Sequence, residues 1–390
     1  MIISSSRIVR STAVLAVSCL LSVTCRAADN TAKIRAIVDA AVRPVMAEHD
    51  LPGVAVGITV GGKAYVFNYG VASREKNIPV SDATLFELGS VTKPLTATLV
   101  SYAQVLGKLS LDDHPSKFIP QLKGTAIDKA SVLNLGTYTA GGLPQQVPDE
   151  VADSEMEKYF QQWVADAPPG TQRRYSNPSL GLFGHLAALS MKGDFADLME
   201  QQLFAQLGMK NSYIVRPGLL PVDYAWGYDK ANKPVRMQRG VLSEEGGGGI
   251  STAADLIRLL QANIAPSALP MPMRRAVEGT HIGYFVVGPM VQGLGWEQYP
   301  YPVALDTLIA GNSPAMSMEA NAAKQIAEPR APGQPTLFNK TGSTRGFGNY
   351  VAFVPQKKLG VVFLANKSAP APARVKVVHT ILTQLDALAQ

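Results

Sequence analysis

Residues 54–60, VAVGITV, and 63–73, KAYVFNYGVAS, are apolar-rich runs separated by Gly61-Gly62, the signature of two strands joined by a tight turn. Upstream, NTAKIRAIVDAAVRPVMAEHD (30–50) repeats its apolar residues at helical intervals and stops before Leu51-Pro52-Gly53. Another helical pattern opens at Ser90, runs to about Leu106 and ends at Gly107. From roughly 110 to 245 the chain is loop-rich and helical, punctuated by Pro, Gly and Asn, with few strand patterns. Strand patterns return at TLFNKTGS (336–343), GNYVAFVP (348–355) and LGVVFLAN (359–366), and a last helix, ARVKVVHTILTQLDALA, closes the chain.

Strands at both ends with helices between predict an α/β (α+β) fold. One antiparallel sheet, built from 28–107 and 252–390 and flanked by terminal helices, would carry a mostly helical insertion, 108–251, with the active site between them. The chain has 390 residues, 46% hydrophobic and 17% charged, enough for a large core. The first residues stand apart. Arg7 and Arg10 precede the apolar run STAVLAVSCLLSV, and Cys25-Arg26-Ala27 offers small residues at a cleavage point, so 1–27 reads as an export signal. Both cysteines, Cys19 and Cys25, fall inside it; the mature chain would have neither disulfide nor thiolate. Losing its three arginines reduces the net charge from +6 to +3, with no basic run to bind nucleic acid. The expectation is a soluble periplasmic monomer that binds neither membrane nor nucleic acid.

The chemistry begins at ELGSVTKPLTATL (87–99). Ser90 and Lys93 stand one helical turn apart in an otherwise apolar segment, where a lysine is costly unless it has a task. Acting on the serine proton is one such task. Ser73 and Lys76 share the same spacing, but in a polar turn, where a solvated loop is the simpler account. Tyr175-Ser176-Asn177 is the only Y-x-N, and by itself reads as a turn because Pro178 follows; Lys340-Thr341-Gly342 is the only K-T-G. Serine with lysine, then Y-x-N, then K-T-G, in that order, matches the three-part site of penicillin-binding proteins and serine β-lactamases.

LGTYTAGGLPQQVPDEV, YAWGY (224–228), GLGWEQYPYP (293–302) and NKTGSTRGFGNYVAFVPQKKLGVVFLANK extend the likeness over the whole mature chain, which resembles class C β-lactamases, the cephalosporinases. The resemblance implies a serine hydrolase that opens the β-lactam amide of cephalosporins and penicillins through an acyl-enzyme on Ser90, without cofactor or metal. Lys93 and Tyr175 are the candidate bases, and a tyrosinate at Tyr175 would need nearby cations such as Lys93 and Lys340. Asn177 would hold Lys93 and the substrate amide, Lys340 and Thr341 the substrate carboxylate, and the backbone N–H groups of Ser90 and Ser343 the oxyanion. Gly342 would let its strand approach the substrate, with Gln146 along the amide pocket and Arg374 near the carboxylate.

Two departures stand out. Within LSEEGGGGIST (242–252), Gly247 or a neighbour occupies a position where the class usually has a tyrosine against the acyl side chain, so this edge reads either as a mobile loop or as a wider pocket. Ala371 stands where many relatives have asparagine. The rival readings are a D,D-peptidase or esterase of the same fold and a sensor that stays acylated; Lys340 favours the lactamase. The five histidines fall in none of the motifs, which argues against a Ser-His-Asp triad.

Overall fold

A computed structural model describes residues 11–214 and 223–389, with side chains over 30–214 and 223–388; the expected export signal lies outside those side-chain-resolved segments. The centre is a ten-stranded sheet. In chain order its strands are β1 (Gly53–Val60), β2 (Lys63–Ser73), β3 (Ile78–Pro79), β4 (Gly283–Val287), β5 (Met290–Gly293), β6 (Glu297–Pro300), β7 (Lys324–Arg330), β8 (Thr336–Ser343), β9 (Gly348–Val354) and β10 (Leu359–Ala365). They lie side by side as β7-β4-β5-β6-β8-β9-β10-β1-β2-β3, each pair antiparallel. The N-terminal hairpin and the C-terminal strands therefore do join in one sheet, β1 against β10. Strands β4 to β6 were not foreseen. They are short, and of the three only β6 lies within a stretch that carries the family likeness, GLGWEQYPYP (293–302).

β9 and β10 are buried along their whole length, because helices cover both faces. Alternate residues go to separate cores, as the two-residue period of a strand requires. Val54, Val56, Ile58, Val361 and Phe363 pack with Val38 and Val42 of α1 (Ser11–Glu48) and with Val375, Val378 and Ile381 of the last helix. Ala55, Val351, Phe353, Val362 and Leu364 face Leu256, Leu259 and Leu260 on the other side. Each such Val, Leu or Phe stabilises the fold by about 2 kcal/mol relative to exposure. Into this second core also pack Leu95 and Leu99 of α2 (Thr92–Val105), which carries Lys93. His281 sits there as well, packed at a tilt against Phe338 and Phe353, its Nε2 2.9 Å from Asn263 Oδ1. Burial pushes its pKa down to about 4.

Two local readings change. Ser176-Asn177-Pro178 starts α3 (Asn177–Met191): Ser176 Oγ caps it by accepting from the Ser179 N–H at 3.0 Å, and Pro178 costs nothing in a first turn whose N–H groups lack helical partners. The glycine run is not a loop. Ser243–Gly247 forms a helical turn, and Gly249–Ser251 is a strand paired with Phe86–Glu87. Thr92 explains part of this, since its Oγ1 accepts from the Gly249 N–H and a Cβ on Gly249 would fall 2.8 Å from it.

Candidate active site

The sheet ends and the helical segments meet at a cleft of about 680 Å³ lined by Ser90, Gln146, Asn177, Gly247 and Ser343, among others. A larger groove of about 1040 Å³ beside β7 holds none of the chemistry-bearing residues and does not compete with it. Ser90 occupies a 3₁₀ turn, Gly89–Val91, just ahead of α2, and its hydroxyl caps no helix. Gly89 has φ +51° and lies against Ser343: a Cβ there would fall 2.5 Å from the Ser343 carbonyl oxygen. Gly342 is equally confined, its hypothetical Cβ 2.2 Å from Leu88 O. Glycine at both positions lets the two backbones close up.

Lys93 is fully buried, and its ammonium finds three acceptors: Ser90 Oγ at 2.9 Å, Asn177 Oδ1 at 2.5 Å and Gly246 O at 2.6 Å. An ammonium has three N–H bonds, so this set resolves the cost of placing it in a core. Burial nevertheless lowers its pKa, with Lys340 adding to the effect. Tyr175, nearly buried, follows the short strand Gln172–Arg174 and precedes the cap of α3. Burial pushes its phenol up, but Lys340 and Lys93, with hydrogen bonds to Ser90 and Lys93, outweigh that and bring it down to about 8. The two ammonium nitrogens stand 5.0 Å and 5.2 Å from the ring centre.

Ser90, Lys93, Tyr175, Asn177 and Lys340 thus converge, from three separate parts of the chain. Lys340 is buried on β8, its Nζ donating to Thr341 O at 3.2 Å. Thr341 is half-buried and Ser343 exposed on the same strand, and Gln146 sits on the cleft rim. Arg374 is buried behind the strand. Its Nη1 donates to Gly342 O and Asn349 O at 2.6 Å and 2.8 Å, and its Nη2 to Ser343 Oγ at 3.0 Å, so it reaches the cleft through Ser343. At Ser73, by contrast, the hydroxyl accepts from the Lys76 backbone N–H in a turn, as the simpler account had it.

Sequence reasoning missed a supporting row. Glu297 Oε1 lies 3.3 Å from Arg173 Nη2 and 3.7 Å from Lys340 Nζ, linking both cations behind Tyr175. Tyr138 packs against Tyr175 with ring centres 4.9 Å apart and planes tilted at 38°. Glu87, buried, accepts from Tyr224 Oη, the Met237 N–H and Thr344 Oγ1. An acid three residues before the serine was visible, but its partners lie 137 to 257 residues away and leave no local signal. Arg236 stacks between Tyr224 and Trp226 on the cleft wall.

A family model described as Beta-lactamase matches residues 38–385. A beta-lactamase of Pseudomonas fluorescens is 49% identical over 90% of this chain and 99% of its own length, and one of Escherichia coli K12 is 38% identical over 94% and 97%. Among solved structures, a class C beta-lactamase in complex with cefoxitin superposes with a TM-score of 0.87 at 43% identity, over 91% of this chain and 99% of that one. A D-alanine carboxypeptidase AmpC from Burkholderia cenocepacia gives 0.86 at 47% identity, with the same coverage. The motifs, the sheet with its helical coat and the relatives agree: this chain belongs to the beta-lactamase family, among the class C serine enzymes.

Proposed function

We propose that the protein hydrolyses the β-lactam amide of cephalosporins and penicillins through an acyl-enzyme on Ser90, and that it does so after export to the periplasm as a monomer. The observation that carries this reading is the buried Lys93 ammonium held on Ser90, Asn177 and Gly246, with the lowered Tyr175 phenol beside it. Lys93 and Tyr175 act as one base. Burial makes the lysine a weaker holder of its proton and the cations make the tyrosine a stronger acid, so a proton passes between them at small cost. At pH 7 a phenol of pKa about 8 is roughly one-tenth ionised, enough to start the reaction.

Ser90 Oγ attacks the lactam carbonyl carbon as its proton moves to this pair. The oxyanion forms against the N–H groups of Ser90 and Ser343, and the C–N bond breaks with the proton returned to the leaving nitrogen. The ester that remains is cleaved by water, activated by the same pair. Asn177 and Gln146 receive the acyl side-chain amide, and Lys340 and Thr341 the substrate carboxylate. Arg374 steadies Ser343, and Gly342 keeps the strand close.

Mature protein and Ser90→Ala are to be compared on a chromogenic cephalosporin, with mass spectrometry of the wild type. Fast turnover lost in the variant is the expected result. A lasting adduct on Ser90 with little turnover refutes the lactamase reading. A second reading has specific support in the D-alanine carboxypeptidase relative at 47% identity, and release of D-alanine from a D-Ala-D-Ala peptide tests it in the same series.

A further inference from the structure

The two proposed oxyanion donors, the N–H groups of Ser90 and Ser343, lie on segments about 250 residues apart in sequence. Both must point at one oxygen, and hydrogen bonds weaken steeply with distance and angle. Something has to fix the spacing between the nucleophile turn, 87–90, and the strand end, 342–344. Among the described residues no backbone–backbone hydrogen bond joins them: the Leu88 N–H donates to Gly249 O and the Thr344 N–H to Phe347 O. Gly89 and Gly342 permit close approach but do not hold it.

We propose that Asn349 and the Glu87–Thr344 pair are positioning residues that lock these two segments together and so set the geometry of the oxyanion hole. Asn349 is fully buried on β9, directly opposite Gly342 of β8. Its Nδ2 crosses to the nucleophile turn and donates to two successive carbonyls, Glu87 O at 2.7 Å and Leu88 O at 3.1 Å. Its Oδ1 has no partner among the described residues, so the amide is held by its donor end alone. The second link also runs from the strand side to the nucleophile turn. Thr344 Oγ1 donates to Glu87 Oε2 at 2.5 Å, one residue beyond the second donor and three before the first. Arg374 holds the strand side of the clamp, since one guanidinium nitrogen binds both Gly342 O and Asn349 O. On the strand side the links flank Ser343, Asn349 lying opposite Gly342 and Thr344 following it, and both end at Glu87 and Leu88, so together they restrain the separation of the two segments.

The inference rests on the reading of Ser90 and Ser343 as the oxyanion donors. It is tested with Asn349→Ala, Thr344→Val and Thr344→Ser, the last two at a half-buried position. Each variant is measured for kcat and KM on a chromogenic cephalosporin, for affinity toward an arylboronic acid, and for melting temperature. The boronic acid gains a bond from Ser90 Oγ to boron, the serine proton passing to the base, and becomes a tetrahedral anion with one oxygen in the hole. Asn349→Ala and Thr344→Val are expected to lose about tenfold in kcat/KM and the same factor in boronate affinity, less than the loss of a whole donor. Thr344→Ser restores both. Variants that melt earlier but keep boronate affinity and kcat/KM overturn the proposal, as does a fall in kcat/KM with boronate affinity unchanged. A wild-type protein that neither turns over the cephalosporin nor binds the boronate overturns the lactamase reading itself, a result separable from the others.

Discussion

Replacing Lys340 with methionine removes a positive charge 5.0 Å from the Tyr175 ring centre while keeping most of the side-chain volume. At an effective dielectric of about 20, a unit charge at that distance interacts with the phenolate by about 3 kcal/mol, or roughly two pKa units. The sign follows from the charge: a cation favours the phenolate, so its loss raises the pKa. Glu297, left with Arg173 as its other cation, pushes in the same direction. The acidic limb of the profile of kcat against pH should move up by about two units, with activity at pH 7 falling about a hundredfold and returning in alkali. Rates at saturating substrate separate this effect from any weaker grip on the substrate carboxylate, which appears in KM. The assay is cephalosporin hydrolysis from about pH 5 to about pH 10 for wild type and variant. A uniform drop at every pH, with the limb in place, would refute the argument that Lys340 tunes the base.

Two further outcomes are expected. Burial holds His281 near 4 in the fold against about 6.5 when unfolded, so below the unfolded value the native state binds fewer protons and stability is lost as the pH drops, by up to about 3 kcal/mol. Denaturant unfolding of His281→Leu should show a flatter dependence between those two values, whatever its absolute stability; an unchanged slope means that another group is responsible. At Gly247 a Cβ would meet the Gly89 backbone at 3.6 Å, ordinary contact, so a side chain can begin there beside the nucleophile turn, and Gly247→Tyr tests the pocket edge. It should slow turnover of cephalosporins with bulky acyl side chains by about tenfold while leaving small ones nearly unaffected, as one obstructed contact in a pocket would do. Equal effects on both sink the idea of a widened pocket.

What the sequence reveals depends on how local each cause is. Ser90 and Lys93 were readable because one helical turn brings them together, and K-T-G because it sits on a clear strand. Tyr175 was readable only as part of an ordered set: the Pro178 that marks a turn in isolation serves a helix start once Ser176 caps it. The glycine run was misread for the reverse reason. A segment with little preference of its own takes its form from Thr92 and from the strand Phe86–Glu87. Glu87, Asn349 and Glu297 were legible as residues but not as roles, since each acts through partners that only the finished sheet supplies.

The pairing of β1 with β10 has a consequence for synthesis. Those strands are separated by roughly 300 residues, and closing a flexible loop of that length costs about 5 kcal/mol before any contact repays it. The hairpin β1–β2 can form as soon as it is made, yet it waits for the last strands before it has a neighbour on its open side. K-T-G and Asn349 arrive in that same late stretch. A ribosome that has reached only residue 339 has therefore made a nucleophile without a hole to work in, and the enzyme is silent until the strands that follow are in place.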